Sequence, residues 1–179
     1  MSQGFLLKYT LSSVLHINPE YLQFITNLIY KNRFLLTLED LKKRLEKNEI
    51  AGEKAEYFVL EYERRRLKSI HSKIKLISHM DVNAGYDILS FNSEKSSSFD
   101  RYIEVKAISN DTVFYWSRNE FTVAKLKDNN YFLYLVELSK INDRNYSPII
   151  IQNPVKTISD SDSWLLETDN YKVTRLSIF

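Results

Sequence analysis

Gly85-Tyr86-Asp87-Ile88, a polar turn, and Arg101-Tyr102-Ile103-Glu104-Val105-Lys106 form the stretch that decides the fold. Two short apolar runs flank a loop rich in serine and asparagine (Asn92 to Ser98), which is the pattern of a β-hairpin. Side chains alternate along a strand, so Glu104 and Lys106 share one face while Ile103 and Val105 point into a core. If the strands pair, Asp87 comes to lie beside Glu104 and Lys106. Two carboxylates at that range make a hard, oxygen-only site suited to Mg²⁺ or Mn²⁺. An ammonium beside them holds and polarises a water, the equipment for hydrolysing a phosphodiester. Taken alone, a Glu-x-Lys triplet also describes a solvated strand face, since 27% of the residues are charged. The neighbouring segments weigh against that reading: an acidic helix precedes the hairpin and a capped amphipathic helix follows it.

Composition bounds the rest. A chain of 179 residues with 44% hydrophobic and 13% aromatic content can pack one domain with a small appendage. We expect a helical segment over residues 1–49, either a winged helix or a partner-docking part, and the main domain over residues 50–179. The net charge of +2 does not by itself imply nucleic acid. The absence of cysteine excludes disulfides, thiolate metal sites and cysteine catalysis. With only three glycines there is no glycine-rich phosphate loop. No apolar run approaches the roughly 18 residues of a membrane span, and the N-terminus lacks a secretory pattern, so a cytoplasmic protein is expected.

Asn18-Pro19-Glu20 signals a helix start, with an end near Asn32. Thr37 to Asp40 opens a second helix with Leu38, Leu41 and Leu45 as its buried stripe. A joint is expected at Asn48 to Gly52. A third helix then presents Ala55, Phe58, Val59 and Tyr62 to a sheet, with Glu56 at the edge of that stripe. It ends in the basic run Arg64, Arg65 and Arg66, which either complements the helix C-terminus or contacts phosphate. Lys73 to His79 reads as the first strand, and His71 and His79 as surface histidines. Val113 to Trp116 reads as a strand, and Ser117-Arg118-Asn119-Glu120 as a capping box opening a helix to about Lys127. That box gives Glu120 a structural reason to be there, so it ranks second as a site residue. Tyr131 to Leu138 reads as a central strand, Pro148 to Gln152 as another, and Asn153-Pro154 as a turn into a short helix. Trp164 to Thr168 and Tyr171 to Ile178 read as closing strands or edge elements. The sum is an α/β or α+β domain: a mixed sheet with helices on its faces.

From the Gly-x-x-Ala-Glu helix (Gly52 to Glu56) onward, the order is Gly-Tyr-Asp-Ile, Ile-Glu-Val-Lys, Ser-x-Asn-Glu and an apolar tyrosine-containing strand. Over about residues 50 to 156 this resembles the protein NO VEIN C-terminal domain family, grouped with the PD-(D/E)XK, restriction-endonuclease-like nucleases. The resemblance implies a four-stranded mixed sheet and a divalent-metal nuclease site. It assigns Asp87 and Glu104 as metal-binding acids, the Val105 carbonyl as a further ligand, Lys106 as the catalytic lysine and Glu56 as the acid of the first core helix. The proline that often precedes the first acid in that superfamily is here Tyr86. Nucleic acid is the implied substrate, DNA ahead of RNA. The implied setting is a restriction or phage-defence assembly with a helicase, ATPase or methyltransferase partner, or a homodimer. Trp116, Ser117 and Asn119 would line the mouth and touch the nucleic-acid backbone, with Arg64 and Arg65 on phosphate. The rival expectation is a subunit that keeps the fold but binds nucleic acid or a partner without cutting.

Overall fold

The computed structural model describes residues 6–9, 15–17, 37–109 and 112–167. The chain divides into two compact units, Met1–Leu45 and Glu46–Phe179. In the first, β1 (Leu6–Tyr9) and β2 (Leu15–Ile17) pair antiparallel. The helix expected from Asn18 to Asn32 and the closing strand expected at Tyr171 to Ile178 lie outside the described residues.

Helix α1 runs unbroken over Leu38–Arg66. Its start is the expected cap: Asp40 N–H donates to Thr37 Oγ1 at 3.1 Å, and Thr37 N–H donates to Asp40 Oδ2 at 3.3 Å. Two expectations fail here. There is no joint at Asn48 to Gly52, because Gly52 stands in open space in the helix and no proline interrupts the run. A glycine inside a helix costs only about 1 kcal/mol, too little to break one that is held elsewhere. Nor is the leucine stripe buried, since Leu38, Leu41 and Leu45 are exposed. Capping and propensity are local and suffice to form a helix, whereas burial needs a partner surface.

The second unit carries a five-stranded mixed sheet, β3-β4-β5-β6-β7. Its strands are β3 (Lys75–Leu76), β4 (Ile88–Ser90), β5 (Arg101–Ile108), β6 (Tyr131–Glu137) and β7 (Ile149–Gln152). The hairpin forms as read, with Ile88 opposite Ile103 and Ser90 opposite Arg101. β5 and β6 are parallel and the other neighbours antiparallel. A parallel pair needs a long crossover. Here it contains α2 (Arg118–Lys127), opened by the expected capping box. α3 (Pro154–Ser159) follows β7, with Asn153 as its N-cap.

Val113 to Trp116 is not a strand. β5 and β6 pair directly, so no slot exists between them, and this segment is the first limb of the crossover. Trp164 to Glu167 is not a strand either. Lys73 to His79 shortens to two paired residues. β6 is an interior strand, between β5 and β7, and is buried from Tyr131 to Val136.

The two sheet faces have separate cores. Ala55, Val59 and Leu60 of α1 pack on Ile103, Val105, Phe132, Tyr134 and Val136. Ile108, Leu133, Leu135, Ile151 and Ile158 of α3 form the other, joined by Phe114, Trp116 and Trp164. The first core contains a charge that sequence reasoning missed. Glu63 is fully buried. Its carboxylate accepts from Arg66 Nε at 3.0 Å, Ser90 Oγ at 2.6 Å and Tyr134 Oη at 2.7 Å. Arg66 also donates to the carbonyls of Phe91 and Asn92, tying the end of α1 to the hairpin. Burial pushes the Glu63 carboxyl up, but bonds from Arg66 and Ser90, the charge of Arg101 and the bond from Tyr134 leave it below the usual value. Among the described residues no helix is long and apolar enough to cross a membrane.

A tight turn fixes the approach to Asp87. Gly85 has φ +74°, a left-handed conformation, and its absent Cβ would sit 2.7 Å from Val123 Cγ2 of α2. Tyr131 Oη donates to the Gly85 carbonyl at 2.8 Å, and Asn119 Nδ2 to the Asn83 carbonyl at 2.9 Å.

These features set two stability outcomes. Glu63→Ala strands Arg66, Ser90 and Tyr134, and is expected to destabilise the protein by about 3–5 kcal/mol in urea unfolding at pH 7. Because Glu63 is depressed in the folded state, its contribution is full above the ordinary carboxyl value of 4.5 and is lost as pH falls below it. The gap between Glu63→Gln and the parent protein therefore narrows between pH 7 and pH 3. Gly85→Ala is expected to cost about 1–2 kcal/mol from its positive φ alone, plus the overlap with Val123. In a double-mutant cycle, Gly85→Ala with Val123→Ala should be less destabilising than the sum of the single changes.

Candidate active site

The site grows from the point where β4 leaves β5. Asp87 N–H still donates to the Ile103 carbonyl at 2.8 Å. One step on, the ladder is replaced by a side chain: Val105 N–H donates to Asp87 Oδ2 at 2.7 Å. The N–H and C=O of a strand residue leave on the same side. The Val105 carbonyl therefore faces the edge that Asp87 occupies, as the resemblance leads one to expect of a ligand.

Glu104 and Lys106 project from the β5 face opposite the one α1 covers. Lys106 Nζ lies 2.7 Å from Glu104 Oε1 and 2.7 Å from Glu120 Oε2. Glu120 is placed by the capping box, where Ser117 N–H donates to its Oε2 at 3.2 Å. The same carboxylate thus caps α2 and grips the lysine. Glu56 approaches from the α1 side, half-buried, and accepts from Ser78 Oγ at 2.5 Å.

The cluster has a surplus of negative charge, four acids to one ammonium. Burial pushes the Asp87 carboxyl up; the Val105 N–H and Lys106 oppose this, Glu56 and Glu120 add to it, and the result is about 7. Glu104 is nearly fully buried and is raised well above the ordinary range, by burial first and then by Asp87. Burial alone would lower Lys106, but Glu104 and Glu120 hold it above its usual value. Burial and the charges of Glu104, Glu120 and Asp87 together push the Tyr131 phenol up.

Oxygen donors with unbalanced negative charge fit a hard divalent cation. Among the described residues, no three His, Cys, Asp or Glu side chains converge to hold an ion by themselves. The fitting set is two carboxylates, Asp87 and Glu104, with the Val105 carbonyl.

The other expected contacts are engaged within the protein. Ser117 Oγ accepts from Glu120 N–H at 3.2 Å, and the Asn119 amide clamps the Asn83 turn. Trp116 packs against Phe114 and Phe121, and its indole N–H is buried without an acceptor. Arg64 and Arg65 lie apart from the site acids, exposed at the end of α1, where they line an open surface groove with Glu61, His71 and Ser72. The link from Lys106 to Glu120 was missed in the sequence, where the capping box accounted for Glu120 completely.

The family model described as "Protein NO VEIN, C-terminal" matches residues 55–151. That span is 97 of the 179 residues and takes in Glu56, the hairpin with Asp87, Glu104 and Lys106, Glu120 of α2, and β6. No curated protein and no solved structure matches the chain. The sheet up to Ile151, the crossover helix and the acid cluster lie within the matched span, and the chain belongs to the protein NO VEIN C-terminal family.

Proposed function

We propose that the chain is a divalent-metal-dependent nuclease of the PD-(D/E)XK type, hydrolysing phosphodiester bonds in DNA. The observation that carries this reading is Lys106 held at 2.7 Å from Glu104 on a strand whose open edge is filled by the Asp87 carboxylate. An ammonium and two carboxylates, set on rigid strands rather than loops, form a pre-positioned group for a water and a cation.

Asp87 and Glu104 would hold Mg²⁺ or Mn²⁺ with the Val105 carbonyl. The bound ion supplies charge neutralisation at the scissile phosphate and a more acidic water. The remaining work falls to the chain itself. Asp87 keeps Oδ2 on Val105 N–H, which holds the carboxylate at the strand edge. Lys106 orients the attacking water and stabilises charge developing on the phosphoryl oxygens. Glu120 holds the lysine head from its far side, so that Glu104 is not its sole anchor. Glu56, close enough to raise the Asp87 carboxyl, is placed to hold a water at the second side of the site. On this reading the protein acts in a restriction or phage-defence assembly beside a helicase, ATPase or methyltransferase, as the superfamily resemblance implies.

A second reading is supported by the closed grip on Lys106: Glu104 and Glu120 already satisfy it, as in an ion cluster of a fold that binds nucleic acid without cutting it.

Incubation of the full chain with supercoiled plasmid separates the two. The nuclease reading expects nicking with Mg²⁺ or Mn²⁺, none in EDTA, and a loss of at least about 100-fold in Asp87→Asn, Glu104→Gln and Lys106→Ala. Equal nicking by parent and variants rejects it, while binding in EDTA with no cleavage under any metal favours the second.

A further inference from the structure

The open surface groove at the end of α1 adjoins a run of cations. The whole chain carries a net charge of +2. Residues 64–75 alone hold Arg64, Arg65, Arg66, Lys68, Lys73 and Lys75 with no acid among them. The fold assigns these cations different tasks. Arg66 turns inward and is consumed by Glu63 and the hairpin carbonyls. Arg64 and Arg65 stay outside, and the turn after α1 brings His71 and Ser72 to the same groove. His71 Nδ1 donates to the Lys68 carbonyl at 2.8 Å, so Nε2 can donate to an anion only when the ring carries both protons.

One acid shares the groove. Glu61 Oε1 pairs with Arg64 Nη1 at 2.7 Å, but both side chains are largely exposed, at 60% and 42%. Such surface pairs are worth only about 0–1 kcal/mol. A phosphate, which takes a guanidinium through two parallel hydrogen bonds, can therefore replace Glu61 as the partner of Arg64. The negative end of the helix dipole disfavours an anion here, and two exposed guanidiniums offset it.

We propose that this groove is a phosphate-binding site that grips the backbone of a nucleic acid away from the acid cluster. This rests on the nucleic-acid substrate proposed above. Arg64 lies eight residues beyond Glu56 on one continuous helix, about 12 Å at 1.5 Å per residue. That is the rise of three to four base pairs of duplex, so a backbone beside Glu56 reaches Arg64 within half a helical turn. Lys73, just before β3, and Lys75, its first residue, are both exposed and extend the basic surface along the sheet edge.

The test measures binding of a fluorescent 20-base-pair DNA duplex to the full chain in EDTA, by anisotropy over a salt series. Arg64→Ala with Arg65→Ala is expected to weaken binding at least 10-fold near 0.1 M salt. It should also reduce the slope of log K against log salt by about 1.8, at about 0.9 for each phosphate that is no longer neutralised. Glu61→Gln removes the competing acid and is expected to tighten binding several-fold. Unchanged affinity and slope in both variants, or no duplex binding by the parent protein, overturns the proposal. So does displacement of the duplex by micromolar adenosine monophosphate, which would mark a small-ligand site. If the parent cuts DNA with metal but neither variant changes duplex affinity, the groove proposal alone fails. If binding depends on the arginines but no metal supports cutting, the cleavage reading alone fails.

Discussion

One backbone N–H governs this structure. Where β4 turns away from β5, the amide of Val105 would be left without a ladder partner, and a buried amide without a partner costs about 1–3 kcal/mol. Asp87 supplies the acceptor at 2.7 Å. That single bond places a carboxylate in the plane of the sheet, at the edge of the strand that carries Glu104 and Lys106. The departure of β4 is in turn enforced by Gly85, whose left-handed turn is pressed against Val123 and tied to Tyr131. The acids meet because a sheet ladder ends early and the gap is filled by a side chain.

Two buried carboxylates show how differently the fold treats charge. Glu63 has a donor on every side and is held ionised, so it acts as a rivet between α1, the hairpin and β6. Glu104 is as deeply buried, but its neighbours are other acids and one lysine, and burial and repulsion push it the opposite way. A satisfied network supports specificity of packing. A buried cluster left with excess charge of one sign is destabilising to the fold, and such clusters concentrate where chemistry is done.

Much of this was legible because the signals were short-range. The turn between the hairpin strands, the alternation of Ile103 to Lys106, the Ser117 cap and the apolar run from Tyr131 are local patterns whose physics is complete within a few residues. What was misread depended on partners distant in sequence. Val113 to Trp116 has strand composition, but β5 and β6 leave no position for it. Leu38, Leu41 and Leu45 have the spacing of a buried stripe, but spacing does not supply a surface to cover them. Glu63 adjoins the basic run Arg64 to Arg66, and nothing in that run marks it as buried. Yet it lies four residues from Val59 and four from Leu67, on the ridge Ala55, Val59, Glu63, Leu67 that the sheet buries. That ridge was visible in the sequence, and following it past the last apolar residue would have placed Glu63 inside.

The charge layout constrains any nucleic-acid role. A cluster with four acids to one ammonium repels a polyanion at the range where Coulomb forces act through water, about 10 Å at moderate salt. A cation bound between Asp87 and Glu104 removes part of that repulsion, but only once the phosphate has arrived. Attraction during approach must come from another surface, and it must lie close enough for one strand to engage both. The segment after Glu63 meets both conditions. Its own sequence has no acid, with Glu61 on Arg64 and Glu94 on the Ser69 N–H as its acidic neighbours, and it begins on the same helix that carries Glu56. Separating the surface that attracts from the site that reacts lets each keep the sign of charge its task requires, within a chain whose net charge is almost neutral.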